Sequence, residues 1–211
     1  MKSATLYTDF ISPFAYLAMQ RLDELTAHLE IEIKPILFAG LLNHWGQKGP
    51  AEIPAKKVHT FDLVRWYAAK HGIEFDLPPA HPFNPLRALR LAIALGSTRV
   101  VADTLFNRIW QAGELPDDAA GWAALQAALE VADGEALIST PEVKAELRAN
   151  GEAAIGAGVF GVPTFVVDGH LFWGVDAVDM LIDYLDGRLD LGDAQAQRVR
   201  ALQPSAMRPQ A

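Results

Sequence analysis

The sequence predicts an α/β fold in which a β-α-β unit at the start and a β-β-α unit near the end enclose a long helical block. Three observations carry this expectation. Ala4–Thr8 and Ile31–Phe38, two short runs rich in β-formers, flank a helical repeat. Successive stretches between residues 55 and 157 carry apolar residues at three- and four-residue steps. Thr164–Val167 and His170–Trp173 flank Asp168-Gly169, a two-residue hairpin signal.

Each element has its own local reason. Ala4–Thr8 leads into Ser12-Pro13, a hydroxyl at an N-cap followed by proline at the first turn, which opens a helix. Phe14, Leu17, Ala18, Leu22, Leu25 and Leu29 continue it at helical spacing, and Ile31–Phe38 follows as a strand parallel to the first. Glycine, proline, asparagine and glutamine between Gly40 and Pro54 mark a loop. Helices are then expected over Ala55–His71, Pro85–Leu95, Arg99–Gln111, Asp118–Val131 and Pro141–Ala157. The hairpin comes next, then a closing helix over Asp176–Leu185, and a polar stretch follows Gly187. That order is the plan of a thioredoxin-like domain split by a helical insertion, with residues 1–40 and 155–200 forming the split domain, 41–154 the insertion and 201–211 a polar tail.

Composition narrows the function. The chain has 211 residues, 51% hydrophobic and 21% charged, which is globular and neither disordered nor of low complexity. Its formal net charge of −8, without a dense basic block, argues against nucleic acid as a partner. Asp9 and Pro13 interrupt the run that a secretory signal needs, and no apolar stretch approaches the roughly 20 residues of a bilayer span. A soluble, cytoplasmic protein is expected. Cysteine is absent, so disulfides, thiolate metal sites and a protein-borne thiol nucleophile are excluded together. Any sulfur chemistry must borrow its thiol.

Several motifs compete for attention. Gly156, Gly158 and Gly161 match G-x-G-x-x-G literally, but a helix precedes them and a strand follows, the reverse of a dinucleotide site. They are read instead as a tight turn into Val162-Pro163. The histidines, His28, His44, His59, His71, His81 and His170, form no H-x-x-x-H or H-E-x-x-H pair, so no metal is expected and most read as surface or loop residues. No G-x-S-x-G elbow occurs. Ser12 stands where a strand ends and a helix begins, so a group bound there meets free backbone donors and the positive end of a dipole, a place that stabilises thiolate. Read alone, Ser12 is only a cap. Pro163 at the head of a strand reads as a turn or cis device, which would leave the Val162 backbone open to an extended, peptide-like ligand.

Ser12-Pro13-Phe14-Ala15 after Tyr7-Thr8-Asp9-Phe10, then Gly161–Phe165 and Phe172–Asp176, resemble the DsbA-like branch of thioredoxin folds. More closely, the chain is similar to kappa-class glutathione transferases and 2-hydroxychromene-2-carboxylate isomerases over nearly its whole length. His44–Pro50, Pro54–Lys56 and His81–Pro85 look particularly like the bacterial isomerases. The resemblance implies a homodimer that uses glutathione as cofactor on a small aromatic substrate. Ser12 then replaces the first cysteine of redox relatives, Ala15 the second, and the Ser12 hydroxyl serves catalysis by favouring the glutathione thiolate. Val162, before Pro163, is implied to pair with the cysteinyl part. Val175 and Asp176 meet the γ-glutamyl end, beside Trp173 and Gly174, and Lys56 faces a glutathione carboxylate, with Lys57 as the adjacent alternative. Kappa-class members have asparagine where Gln47 falls and serine where Val175 falls, so one side-chain contact is lost. Trp45, Phe83 and Asn84 are substrate-side candidates; packing for Trp45 and Phe83, and a helix cap for Asn84, are the competing roles. The implied reaction exchanges 2-hydroxychromene-2-carboxylate with trans-o-hydroxybenzylidenepyruvate, by reversible thiolate addition that frees rotation about a carbon-carbon double bond. A kappa-like transferase acting on small electrophiles and a catalytically silent thioredoxin-like binding module are the rivals.

Overall fold

The structure is a computed structural model that describes residues 1–206. Its elements run β1 (Lys2–Thr8), α1 (Pro13–Met19), α2 (Asp23–Thr26), β2 (Leu29–Pro35), α3 (Phe38–Trp45), α4 (Pro54–His71), α5 (Leu86–Ala94), α6 (Arg99–Trp110), α7 (Ala119–Ala128), α8 (Gly134–Ser139), α9 (Pro141–Gly156), β3 (Thr164–Val167), β4 (His170–Trp173), α10 (Ala177–Leu185) and α11 (Ala194–Ala201). The four-stranded sheet has the order β2-β1-β3-β4. β1 pairs parallel with β2 and antiparallel with β3, and β3 pairs antiparallel with β4. This is the α/β, thioredoxin-like arrangement of sheet and helical block expected from the element order.

The register explains why β1 sits inside the sheet. Leu6 lies opposite Ile33 on one side and Phe165 on the other, and Phe165 lies opposite Phe172. Leu6, Phe165 and Phe172 are fully buried, so one apolar row crosses three strands and carries the main core. Tyr7 points to the other face, where Ile36, Leu41, Ala154, Val159 and Val162 form a smaller cluster. The hairpin turn has Asp168 at φ 51° and Gly169 at φ 79°, the left-handed pair that the right-handed twist of two adjoining strands favours.

The structure departs from the sequence expectation where long-range contacts override local composition. The single helix expected through Leu29 is two: α1 ends at Met19 and α2 follows at Asp23. Across the junction and into α2, Arg21, Leu22, Glu24 and Leu25 each donate to the carbonyl three residues back, and this tighter turning preserves an apolar period of three without a continuous α-helix. Leu29 begins β2, because the seven-residue β1 extends the pairing to Lys2↔Leu29. Ile36–Phe38 is not strand, and the expected loop from Gly40 contains most of α3. The cause is Asp9, whose Oδ2 accepts the Phe38 N–H at 2.8 Å and so opens a helix there. α8 was also unforeseen; Asp133 caps it by accepting from Ala136 N–H at 3.0 Å. α11 lies in the stretch read as polar and is capped by Asp193, which accepts from Ala196 N–H at 2.7 Å. Of the expected tail 201–211, residues 207–211 fall outside the described residues.

Candidate active site

The loop between β1 and α1 is built by its own side chains. Ser12 has extended backbone angles, φ −94° and ψ 114°, and its Oγ accepts the Ala15 N–H at 3.2 Å, so the sequence-predicted cap is formed. Pro13 supplies the first turn without an N–H to satisfy. α1 spans only seven residues, so the turn offers the hydroxyl itself more than the dipole of a long helix.

A second loop meets this hydroxyl. The Val162–Pro163 peptide is cis, and Ser12 Oγ donates to the Val162 carbonyl at 3.4 Å across a sequence separation of 150 residues. That is long for a hydroxyl donor, whose usual distance is about 2.8 Å, so the proton is loosely held and open to a better acceptor. Ser12 is 8% exposed. The Val162 N–H has no hydrogen-bond partner among the described residues.

The hairpin end closes the other side. Gly174 N–H donates to the Pro163 carbonyl at 2.9 Å, which fastens the end of β4 to the cis-proline loop. Trp173, 52% exposed, lies against Gly161 and edge-on to Phe160 at 5.0 Å. A Cβ on Gly161 would stand 2.4 Å from the Trp173 indole nitrogen, so this glycine permits a close approach. The G-x-G-x-x-G match is thus explained by a turn, with Gly158 at φ 80°, and by packing. Beyond Gly174, Val175 buries its side chain in the core. Neither Val175 N–H nor Asp176 N–H has a partner among the described residues, and the exposed Asp176 carboxylate makes no cap bond to α10.

Other candidate residues are placed less directly. Lys56 is exposed and without a partner among the described residues, whereas Lys57 Nζ donates to the His81 carbonyl at 2.5 Å. Gln47 is exposed in the turn after α3, where its backbone N–H donates to the Leu42 carbonyl at 2.9 Å. Trp45 donates its indole N–H to the Val159 carbonyl at 2.9 Å, tying α3 to the loop that precedes Val162. Phe83 is buried against His81 and Trp110, with ring centroids 6.0 and 6.1 Å away. Asn84 Oδ1 accepts the Leu86 N–H at 3.1 Å, so this side chain caps α5.

Two residues that sequence reasoning passed over adjoin the site. Asp9 is fully buried; its Oδ1 accepts the Ile11 N–H at 3.1 Å while Oδ2 holds Phe38, and burial pushes its carboxyl up to about 7 against those two bonds. His81 lies in a loop, as read, but its ring is half-buried and its Nε2 bonds the Ile11 carbonyl at 3.0 Å. Burial lowers its pKa. The signals were there in outline: an acid at the apolar end of a strand, and a histidine inside the turn-dense His81–Pro85. Among the described residues no group of three or more His, Cys, Asp or Glu could hold a metal ion.

A family model described as the DSBA-like thioredoxin domain matches residues 5–186. The chain belongs to the DsbA-like thioredoxin family. Among its DsbA-like relatives, the 2-hydroxychromene-2-carboxylate isomerase of Sphingobium xenophagum is 32% identical over 193 residues, covering 87% of this chain and 98% of that protein. Glutathione S-transferase kappa 2 of Caenorhabditis elegans is 29% identical over 210 residues, 87% of this chain and 92% of that protein. A solved structure of a 2-hydroxychromene-2-carboxylate isomerase superposes with a TM-score of 0.78 at 26% identity, covering 95% of this chain and all of that one. Within this DsbA-like fold the present chain has Ser12 and Ala15 after β1 and no cysteine anywhere.

Proposed function

We propose that the chain is a glutathione-dependent isomerase that interconverts 2-hydroxychromene-2-carboxylate and trans-o-hydroxybenzylidenepyruvate. The observation that carries this reading is the meeting of the Ser12 hydroxyl with the Val162 carbonyl beside cis-Pro163, in a chain that has no thiol of its own. The groups around this point fit glutathione. Val162 N–H is free to pair with the cysteinyl backbone, and the free N–H groups of Val175 and Asp176 suit a carboxylate, with the exposed Asp176 side chain for an ammonium group. Lys56 is the better partner for a second carboxylate, because Lys57 is already committed to the His81 carbonyl. Gln47 is exposed nearby in sequence and has no competing side-chain bond.

When bound, glutathione would supply a thiolate able to add reversibly to a conjugated carbon, which turns one hard isomerisation into two easier steps. The chain's own part is electrostatic and geometric. Ser12 Oγ–H turns from its long bond with Val162 O towards the sulfur and favours the anion. The Ala15 N–H keeps the hydroxyl oriented while it does so. Trp45 steadies the loop before Val162 through its bond to the Val159 carbonyl, and Trp173 packs on Gly161 beside the cis-proline.

The deciding experiment incubates 2-hydroxychromene-2-carboxylate with the protein and substoichiometric glutathione. Equilibration by catalytic glutathione, with free thiol unchanged, is expected. Product that retains glutathione would instead establish the transferase reading, which the kappa relatives favour, and no saturable glutathione binding would leave a silent binding module. The same reading places the enzyme in the cytoplasm in aromatic hydrocarbon catabolism, as a homodimer that sedimentation would reveal. Among the described residues no helix is long and apolar enough to cross a membrane.

A further inference from the structure

The residue that precedes Ser12 is gripped at both its N–H and its carbonyl. Asp9 Oδ1 takes the Ile11 N–H at 3.1 Å, and His81, from the loop before α5, reaches the Ile11 carbonyl with Nε2 at 3.0 Å. A carbonyl can only accept, so Nε2 carries the hydrogen and Nδ1 is the bare nitrogen. Nδ1 is buried without a partner among the described residues. The ring packs against Phe61, Trp110 and Phe83, with centroids 5.1, 5.8 and 6.0 Å away. Lys57 Nζ, on α4, holds the His81 carbonyl at 2.5 Å. Two helices of the α4–α6 block and the loop between them therefore converge, through one imidazole, on the bond that leads into Ser12.

We propose that His81 is a positioning residue for Ser12: its Nε2–H fixes the plane of the Ile11–Ser12 peptide and so aims the Ser12 hydroxyl at the position of the glutathione sulfur. The inference rests on the isomerase reading and deepens it. Burial of Nδ1 away from any acceptor disfavours a second proton on the imidazole. The burial that lowers its pKa, aided by the nearby Lys57 charge, acts in the same direction. Proximity of this kind matters because a misplacement of about 1 Å in a reacting group costs on the order of a hundredfold in rate.

The test compares His81→Leu, His81→Gln and His81→Asn in the full chain. The glutamine amide nitrogen reaches about as far as Nε2 and can restore the bond to Ile11, whereas the shorter asparagine cannot. Three quantities are read for each: the apparent pKa of the bound glutathione thiol from its ultraviolet thiolate absorbance, the glutathione Kd by titration calorimetry, and kcat. His81→Leu and His81→Asn are expected to raise the bound thiol pKa and lower kcat by about tenfold to a hundredfold with little change in Kd, and His81→Gln to recover most of both. Wild-type thiol ionisation and kcat in a folded His81→Leu chain would overturn the proposal. So would a His81→Gln chain no better than His81→Asn, the result of a purely structural role, and that comparison decides the matter if the leucine variant fails to fold. A wild-type chain that ionises the thiol without isomerising refutes the isomerase reading alone and leaves the His81 comparison readable in the thiol pKa. A wild-type chain that never ionises the thiol overturns both.

Discussion

Ser12 carries two roles that a single substitution separates. As the cap of α1 its Oγ satisfies the Ala15 N–H, and loss of such a cap costs about 1 kcal/mol. As a donor aimed at a developing sulfur anion it is worth far more in rate, about two to three powers of ten. Ser12→Ala is therefore expected to fold, to melt slightly earlier, and to lose turnover by that larger factor; unchanged turnover would reduce Ser12 to a cap. Asp9, three residues before it, gives a pH signature of opposite sense to an ordinary paired carboxylate. Burial holds its folded pKa at about 7, above the ordinary 3.8, so between those values the folded chain retains a proton that the unfolded chain has released. Its contribution to stability is thus fully present below pH 4, is lost as pH rises towards 7, and is then constant. The loss has an upper bound of about 4 kcal/mol at about 1.4 kcal/mol per unit. Denaturation of the wild type and of Asp9→Asn across this range should show the wild type losing ground relative to the variant as pH rises, and parallel curves would remove the assignment.

At the scale of the element, α3 is where sequence and structure part most clearly. Gly40 looks like the start of a loop, yet it lies within α3 at an exposed position, and a Cβ there would meet nothing within 4 Å. Gly40→Ala should therefore stabilise the chain by about 0.5–1 kcal/mol, through a better helix former and a less free unfolded state. Thermal melts that show no gain, or a loss, would argue against a helix over Phe38–Trp45. What made α3 illegible is that its start is fixed by Asp9, 29 residues upstream, and its hold on the core by Leu41; neither contact leaves a local trace. The same holds for His81, whose bond to Ile11 spans 70 residues. By contrast β3, its turn and β4 were read to the residue, because alternation, a two-residue turn signal and their boundaries are all local. Ser12 as a cap was legible for the same reason, whereas its meeting with Val162 was reachable only through the family resemblance.

For the molecule as a whole, the question is whether the sheet and the helical block are one folding unit or two. The sequence places them in separate stretches, but a single hydrophobic cluster holds Leu6, Phe165 and Phe172 of the sheet together with Leu89, Phe106, Trp110, Leu125 and Leu147 of the helices. Trp110 is the joint. It is fully buried, it donates its indole N–H to the Phe10 carbonyl at 2.8 Å, and the Phe10 ring in turn lies 4.7 Å from Phe106. Opening the interface would expose that apolar surface and give up a hydrogen bond that joins the two parts, so neither part has a stable partial state to stop in. Urea unfolding followed by tryptophan fluorescence and by far-ultraviolet circular dichroism should give coincident, single transitions. Trp110→Phe removes the donor and leaves the Phe10 carbonyl buried without it, a loss of about 1–3 kcal/mol before any cavity is counted. That loss should move the whole transition by the same amount in both probes. If fluorescence and dichroism separate, in the wild type or only in the variant, the helical block folds independently, and the grip of His81 on the Ser12 turn becomes a contact between two units that can part without either unfolding.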